Sequence, residues 1–563
     1  MSVARSSMLM ASGTVISRVL GFARSVVAAL AIGVTTDAAD AFGVANQLPN
    51  NVYAIIVGGV LNAVLVPQLV KSRLHSDGGK GYIDRLVTFI LTVFFAVTAL
   101  ATFAAPLLIS LYTSGWSPNQ LALATAFAYW CLPQLFFYGL YSLLGEVLNA
   151  RSAFGPFMWA PVLNNIVGLI GLVAFIVMFG ADPTGARGIS SWDAGKIAVL
   201  AGSTTLGVAS QALILLVAWR RIGLHLSFNF KWRGFGLRPA LKAASWSLGM
   251  VLVTQIGGLV QTIVASGAVA GRAAGASAGG VAVAANGMAI ASVAVAFTAW
   301  LIFMLPHSVA TVSIATAYFT KMSTHAHEGK THLLKNDLGQ GLKAISLIAM
   351  FATFALIVLA YPISRVFVGE YPSILALGTT VIALMVGLVP FSFVYMMQRA
   401  FFALEDTRTP FVFTVVQIGL HIIGSITIHF TVAPELRVIS LSLLTSATIA
   451  IQAVLAYRLL TKRIGSLGEH RVAASTATYL VAGLVSGASG FATLQVLGGI
   501  SATSFVLDTV VSSALSMAII GFVMLAVYLI ALRLLKVKEL DAVSSKLTGL
   551  FAAISKGIIK RGK

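Results

Sequence analysis

The sequence predicts an all-α polytopic membrane protein of about fourteen transmembrane helices: two pseudo-symmetric six-helix lobes around a central cavity, plus two extra C-terminal helices. Three observations carry that expectation. Of 563 residues, 58% are hydrophobic and only 10% charged, and the apolar runs repeatedly exceed the ~18 residues that mark a membrane helix. The basic residues segregate between alternate loops. A proline pattern also recurs at a fixed offset in the two halves of the chain.

Taken in order, the apolar runs place spans at 8–33, 41–70, 86–112, 119–148, 157–180, 196–219, 243–270, 284–319, 341–362, 372–401, 410–431, 438–460, 472–497 and 506–534. The first is too long for a cleaved signal peptide, is interrupted by Arg18, and has no polar mature region after it. With the N-terminus in the cytoplasm, all but seven of the 37 Lys and Arg lie on the cytoplasmic side. The exceptions are Arg187, Lys196, Arg272, Arg365 and Arg437 outside, and Arg18 and Arg24 within the first span. This asymmetry follows the positive-inside rule and an even span count with both termini cytoplasmic. The net charge of +20 thus reports topology and attraction to anionic membrane lipids, with no nucleic-acid partner. Cys131, the lone cysteine, excludes an internal disulfide and a cysteine-based zinc site.

Leu48-Pro49 recurs as Leu305-Pro306 and Leu132-Pro133 as Val389-Pro390, each 257 residues on, and Pro156-Phe157 recurs as Pro410-Phe411. An offset of an even number of spans makes the repeats parallel, the arrangement of carriers whose halves rock around a central site. The expected domains are an N-lobe at 1–230, a C-lobe at 231–465 joined through the basic linker 220–242, spans 13 and 14 at 466–535, and a basic amphipathic cytoplasmic tail at 536–563. Pro49-Asn50, loosened further by Gly58-Gly59, and Pro306-His307 interrupt spans 2 and 8. Each proline frees a backbone carbonyl and serves either as a static kink or as a hinge.

The chemistry of the first span is unusual. Arg18 and Arg24 lie in an apolar run without any acid; Asp37 and Asp40 come only after it. A guanidinium near the bilayer centre costs at least ~2.5 kcal/mol and faces water or a partner. One reading is that both snorkel or pair with an acid on another helix. The other is a cationic site for an anionic substrate: two guanidiniums suit a diphosphate, which each grips bidentately. Six residues set them about 120° apart on a helix, and Gly21 between them would let the helix bend so that both reach one cavity. Asp40 either favours the N-terminus of its own helix or turns back toward the first span.

The residues Ser17-Arg18-Val19-Leu20-Gly21-Phe22-Ala23-Arg24, Asp40-Ala41-Phe42, Leu48-Pro49-Asn50 and the stretch from Gly59 to Pro67 resemble the opening signature of the MurJ (MviN) family, bacterial lipid II flippases of the MOP exporter superfamily. The likeness extends over the whole chain, and LPHSVATVSIATAYFTKMS at the end of span 8 looks actinobacterial. The resemblance implies alternating-access transport of undecaprenyl-diphosphate-linked peptidoglycan precursor from the inner to the outer leaflet of the bacterial plasma membrane, supporting wall biogenesis and cell shape. It implies that Arg18 and Arg24 hold the diphosphate with Ser17, Asp40 and Asn50 beside them. It implies a lipid-tail groove at spans 13 and 14; Gly21, Pro49 and Pro306 are the hinge candidates that the residues themselves offer. Two departures stand out: Tyr53 and Ala54 follow the Leu-Pro-Asn where the family often has arginine, and Leu301 stands five residues before Pro306 where it often has another. The implied site then has two arginines instead of four.

The chain carries no sign of an enzyme or of a bound cofactor. Gly329-Lys330-Thr331 lacks the upstream glycine of a phosphate-binding loop. His325, His327 and His332 read as a basic solvated loop, not a metal site. His421 reads as a packing or interhelical hydrogen-bonding residue in preference to a proton relay. The candidate membrane acids Asp40, Glu146 and Asp508 all sit at helix ends. Partners beyond the lipid-linked diphosphate are a counter-moving ion (Na+, H+ or Cl−) and wall-synthesis proteins. The alternatives are export of another polyprenyl-diphosphate oligosaccharide or of drugs, and a non-transporting wall-synthesis scaffold. The tail KVKELDAVSSKLTGLFAAISKGIIKRGK suits an interfacial helix on the cytoplasmic leaflet.

Overall fold

A computed structural model describes residues 3–57, 80–151, 153–221, 223, 227–230, 237–272, 276–278 and 281–537. The Gly58-Gly59 pair, the second half of span 2, much of the 220–242 linker and tail residues 538–563 lie outside the described residues.

Helix follows helix: α1 Val3–Ile32, α2 Asp37–Ile56, α3 Lys80–Phe103, α4 Ala105–Tyr112, α5 Pro118–Cys131, α6 Gln134–Ala150 and α7 Phe154–Phe179. Then come α8 Ser203–Arg221, α9 Leu237–Ser266, α10 Val293–Pro306, α11 Val312–His327, α12 Thr331–Val358 and α13 Ala360–Phe367. The last are α14 Tyr371–Met385, α15 Leu388–Ala403, α16 Arg408–Thr431, α17 Arg437–Ile464, α18 Glu469–Val496 and α19 Val510–Leu534. A three-residue antiparallel ribbon, Ala276–Ala278 with Val281–Val283, interrupts the pattern between α9 and α10. Among the described residues twelve segments are long and apolar enough to cross a membrane, and the α14–α15 pair, bent by 44°, makes a thirteenth. These thirteen correspond one to one with every expected span except the second, of which α2 is the described part.

The prolines explain where helices break. Pro133 stands between α5 and α6, and Pro390 lies in the first turn of α15 just after the 44° bend, so the repeated motif interrupts a helix in both halves at matching places. Pro306 ends α10, and the chain continues into α11 through a π-helical turn, His307–Thr311, because a residue that lacks an N–H forces the local hydrogen-bond ladder to shift. Pro49 sits inside α2. Gly21 does not break α1, which runs from Val3 to Ile32.

By compactness the chain divides into two units. The first comprises Met1–Leu301, Val366–Thr380 and Thr407–Thr448; the second comprises Ile302–Arg365, Val381–Asp406 and Ile449–Lys563. The first has a core in which Leu86, Phe94, Leu140, Leu143, Leu144 and Trp219 bring α3, α6 and α8 together. The second packs Met350 of α12 against Tyr479 of α18 and Tyr528 of α19. There Gly483 and Gly487 meet Phe354, Gly490 meets Met524, and small residues let backbones approach where lipid gives no hydrophobic drive. Large apolar side chains also cover the exterior: Phe103 and Val496 are each 86% exposed, a surface suited to lipid and not to water.

One loop departs from expectation. His325 and His327 belong to the last turn of α11 and His332 to the first turn of α12, so the solvated loop shrinks to Glu328–Lys330. His325 is not free of acids: its Nδ1 lies 2.7 Å from Asp337 Oδ2. The partner, twelve residues on, returns on the antiparallel helix.

Candidate functional site

The polar residues of the first unit gather on α1, α2, α6, α7 and α8. α1 is apolar enough to be a span, yet Ser17, Arg18 and Arg24 are all only partly exposed along it. α7 packs along α1 and turns two adjacent carboxamides to it. Asn165 Nδ2 donates to the carbonyl of Ser17 at 2.8 Å and to its Oγ at 3.2 Å. Arg24 Nη1 donates to Asn164 Oδ1 at 3.4 Å, and Asn164 Nδ2 in turn donates to Gln211 Oε1 of α8 at 2.8 Å.

Two glycines make this possible. A Cβ at Gly168 would stand 2.8 Å from Cζ and Nε of Arg24, and one at Gly207 would stand 2.6 Å from Asn164 Oδ1. The guanidinium therefore lies flat on the bare backbone of α7, and Asn164 fits against the bare backbone of α8. Gly21 faces the same pair, since its added Cβ would be 3.6 Å from Asn165 Nδ2, a distance that permits a methyl group. Among the described residues neither Arg18 nor Arg24 has a carboxylate within ion-pair distance. The positive charge is held by neutral dipoles and is left uncancelled.

A second polar layer continues the cluster. Gln134 Nε2 donates to Asn46 Oδ1 at 3.2 Å and to Thr205 Oγ1 at 3.1 Å, Tyr138 hydroxyl donates to Gln134 Oε1 at 3.4 Å, and Asn50 is exposed on α2. Tyr53 lies tilted between Phe94 and Tyr138 with centroids 6.4 and 5.4 Å away, so an aromatic wall stands where the resemblance led to an expected arginine.

Asp40 lies in the first turn of α2, where a carboxylate favours the helix N-terminus, although the side-chain cap is Thr36, whose Oγ1 accepts from Ala39 N at 3.0 Å. Its carboxylate is engaged away from α1. Asp40 is fully buried, its Oδ1 accepts from Ala294 N at 2.8 Å at the start of α10, and its Oδ2 lies 2.8 Å from Arg272 Nη1. The same guanidinium nitrogen is 2.6 Å from Asp37. Arg272, read from sequence as one of five external charges, thus joins buried Asp40 to partly exposed Asp37.

Sequence reasoning missed Asn164, Asn165, Gln134 and Gln211. The available signal was their polarity: an Asn-Asn pair in an otherwise apolar 25-residue span has to find partners inside the membrane. Pro306 and the π-turn after it belong to no part of this cluster, nor do His421 and Asp508.

The family described as lipid II flippase MurJ matches residues 28–515 of this chain, beginning just after Arg24. Similar proteins include the probable lipid II flippase MurJ of Rhizobium tropici, 24% identical over 497 residues that cover 86% of each chain. Another is the probable lipid II flippase MurJ of Rhizobium meliloti, 25% identical over 445 residues, 77% of this chain and 76% of that one. Among solved structures, a lipid II flippase MurJ in an inward closed conformation aligns with a TM-score of 0.70 at 19% identity, covering 94% of this chain and 99% of its own. An inward-facing multidrug resistance MATE family transporter of the MOP superfamily aligns with a TM-score of 0.56 at 16% identity, covering 80% and 99%.

Proposed function

Because this chain belongs to the MurJ family of lipid II flippases, a family of multi-pass inner-membrane transporters, we propose that it carries undecaprenyl-diphosphate-linked peptidoglycan precursor from the inner to the outer leaflet by alternating access. The observation that carries the reading is the pair of first-span guanidiniums, free of carboxylates among the described residues, that of Arg24 being oriented by the Asn164 carboxamide. A guanidinium cancelled by an acid would have no charge to offer; one oriented by Asn164 keeps its remaining N–H groups for phosphate oxygens. Ser17 and Asn50 complete the substrate set. Asp40 acts beside it, by fixing the start of α10. Gly21, Pro49 and Pro306 are the proposed hinges, and the lobes at 1–230 and 231–465, with spans 13 and 14 as a tail groove, are the moving parts.

Both termini face the cytoplasm in this reading, supported by the distribution of Lys and Arg. Outward movement of a diphosphate is favoured by a potential negative inside, at about 2.3 kcal/mol per charge per 100 mV, and a counter-moving ion resets the carrier. The test is complementation of a strain depleted of its own lipid II flippase, with membrane level measured in parallel. Arg18→Ala and Arg24→Ala each abolish growth, and lysine rescues poorly because it lacks the planar fork. Normal growth of the double alanine variant at wild-type protein level overturns the cationic-site reading.

A further inference from the structure

α16 carries a polar file that the lipid-binding cluster leaves unused. Gln417, His421, Ser425 and His429 follow one another at intervals of four, so they form one stripe along a membrane-spanning helix. At the inner end of the stripe Gln417 Nε2 donates to Thr448 Oγ1 of α17 at 3.2 Å. Beyond it the partners stop. His421 is 3% exposed and Ser425 fully buried, yet both ring nitrogens of His421, the hydroxyl of Ser425 and Nδ1 of His429 have no hydrogen-bond partner among the described residues. Buried polar atoms without partners are rare and mark a bound water, an ion or a reactive role. Here four fall in one line covering about 12 Å of helix.

We propose that this stripe is a proton path, with His421 as the residue that binds the proton inside the membrane. The direction of entry, from the outer face at His429 in the last turn of α16, rests on the orientation proposed above. A proton fits better than a metal ion, because it needs one lone pair and no anionic ligand, and among the described residues no three His, Cys, Asp or Glu converge as a metal-binding group. No ionisable side chain faces the file from the membrane portions of its neighbours: α9 has none after Lys242, and α17 has none from Val438 to Ala456. At the outer end Arg437 Nη2 donates to the His429 carbonyl at 2.9 Å, and that fixed positive charge disfavours a proton resting on His429 over one passed inward. Ser425 and both imidazoles each donate and accept, so with water bridging the gaps between them a proton leaves hydronium at the outer end, is exchanged along the file, and binds a ring nitrogen of His421 to give imidazolium. In the inward-facing carrier the imidazolium gives the proton to water on the inner side. No other bond changes. The bound proton is the counter-moving charge that resetting a carrier of anions requires.

The experiment uses the full chain in lipid nanodiscs with 15N-labelled histidine, the His421 signals being assigned by their loss in His421→Gln. The ring nitrogens of His421 shift from neutral imidazole to imidazolium as pH is lowered, and Ser425→Ala slows the exchange. A His421 ring that stays neutral down to the pH at which the fold is lost overturns the proposal. In proteoliposomes at clamped potential, flipping of a lipid-linked diphosphate depends on external pH, and His421→Gln loses that dependence while its unfolding temperature stays unchanged. Superimposable pH profiles for the two proteins overturn the proposal. A titrating ring in a protein that moves no lipid-linked diphosphate supports the proton path and overturns the substrate reading instead.

Discussion

Replacing Asp40 by alanine tests its pairing with Arg272 directly, because it removes one partner from an ion pair that water does not reach. Asp40 is fully buried, and the Arg272 side chain it faces is 10% exposed. Breaking such a pair from one side costs about 3–5 kcal/mol, since the surviving charge is left in a low-dielectric site. Asp37, 2.6 Å from the same guanidinium but with 37% of its side chain exposed, retains part of the interaction and sets the loss at the lower end, about 3 kcal/mol. The lost acceptor for Ala294 N–H adds about 1 kcal/mol, as for other helix caps. Asp40→Ala therefore destabilises by about 4 kcal/mol. Asp40→Asn, which keeps the acceptor, destabilises by about 3. The double variant Asp40→Leu, Arg272→Met removes both buried charges and leaves little beyond the lost cap, about 1 kcal/mol. Reversible unfolding in mixed micelles of wild type, Asp40→Leu, Arg272→Met and the double variant gives the cycle, in which the double change falls well below the sum of the two single changes. Additive single and double changes, or an Asp40→Ala protein within about 0.5 kcal/mol of wild type, refute the reasoning.

Gly168→Ala puts a methyl group 2.8 Å from Arg24 Cζ and Nε, displaces the guanidinium from Asn164, and lowers the flipping rate at least ~10-fold, as loss of one charge-assisted hydrogen bond does. Adding Gly168→Ala to Arg24→Ala gives no further loss, and a wild-type rate in Gly168→Ala vesicles rejects the cradle. Collapsing the membrane potential at constant ATP slows flipping in proportion to the charge moved; undiminished flipping rejects potential-driven transport.

Apolar runs alone determine much of this protein. Because each span has to satisfy its own backbone inside lipid, helix number and position follow from composition, and thirteen spans reappear at the expected places. The proline repeats likewise announce the helix breaks at Pro133 and beside Pro390, since a missing N–H acts locally. The arginines of α1 are visible in the same way: a charge in an apolar run is costly wherever the chain goes. What surrounds those charges was decided by tertiary packing. Nothing near Arg24 in the chain indicates Asn164, 140 residues away, or the Gly168 backbone on which its guanidinium lies. Arg272 looks like an ordinary external charge until the fold brings it to Asp37 and Asp40, 235 residues away from the former. His421 read as a hydrogen-bonding residue, and only the packed helices reveal that both its nitrogens are unpartnered. Hydrophobicity and proline geometry are properties of a segment and survive in its sequence. The pairing of buried polar groups is a property of which segments meet, so it exists only once the helices have packed.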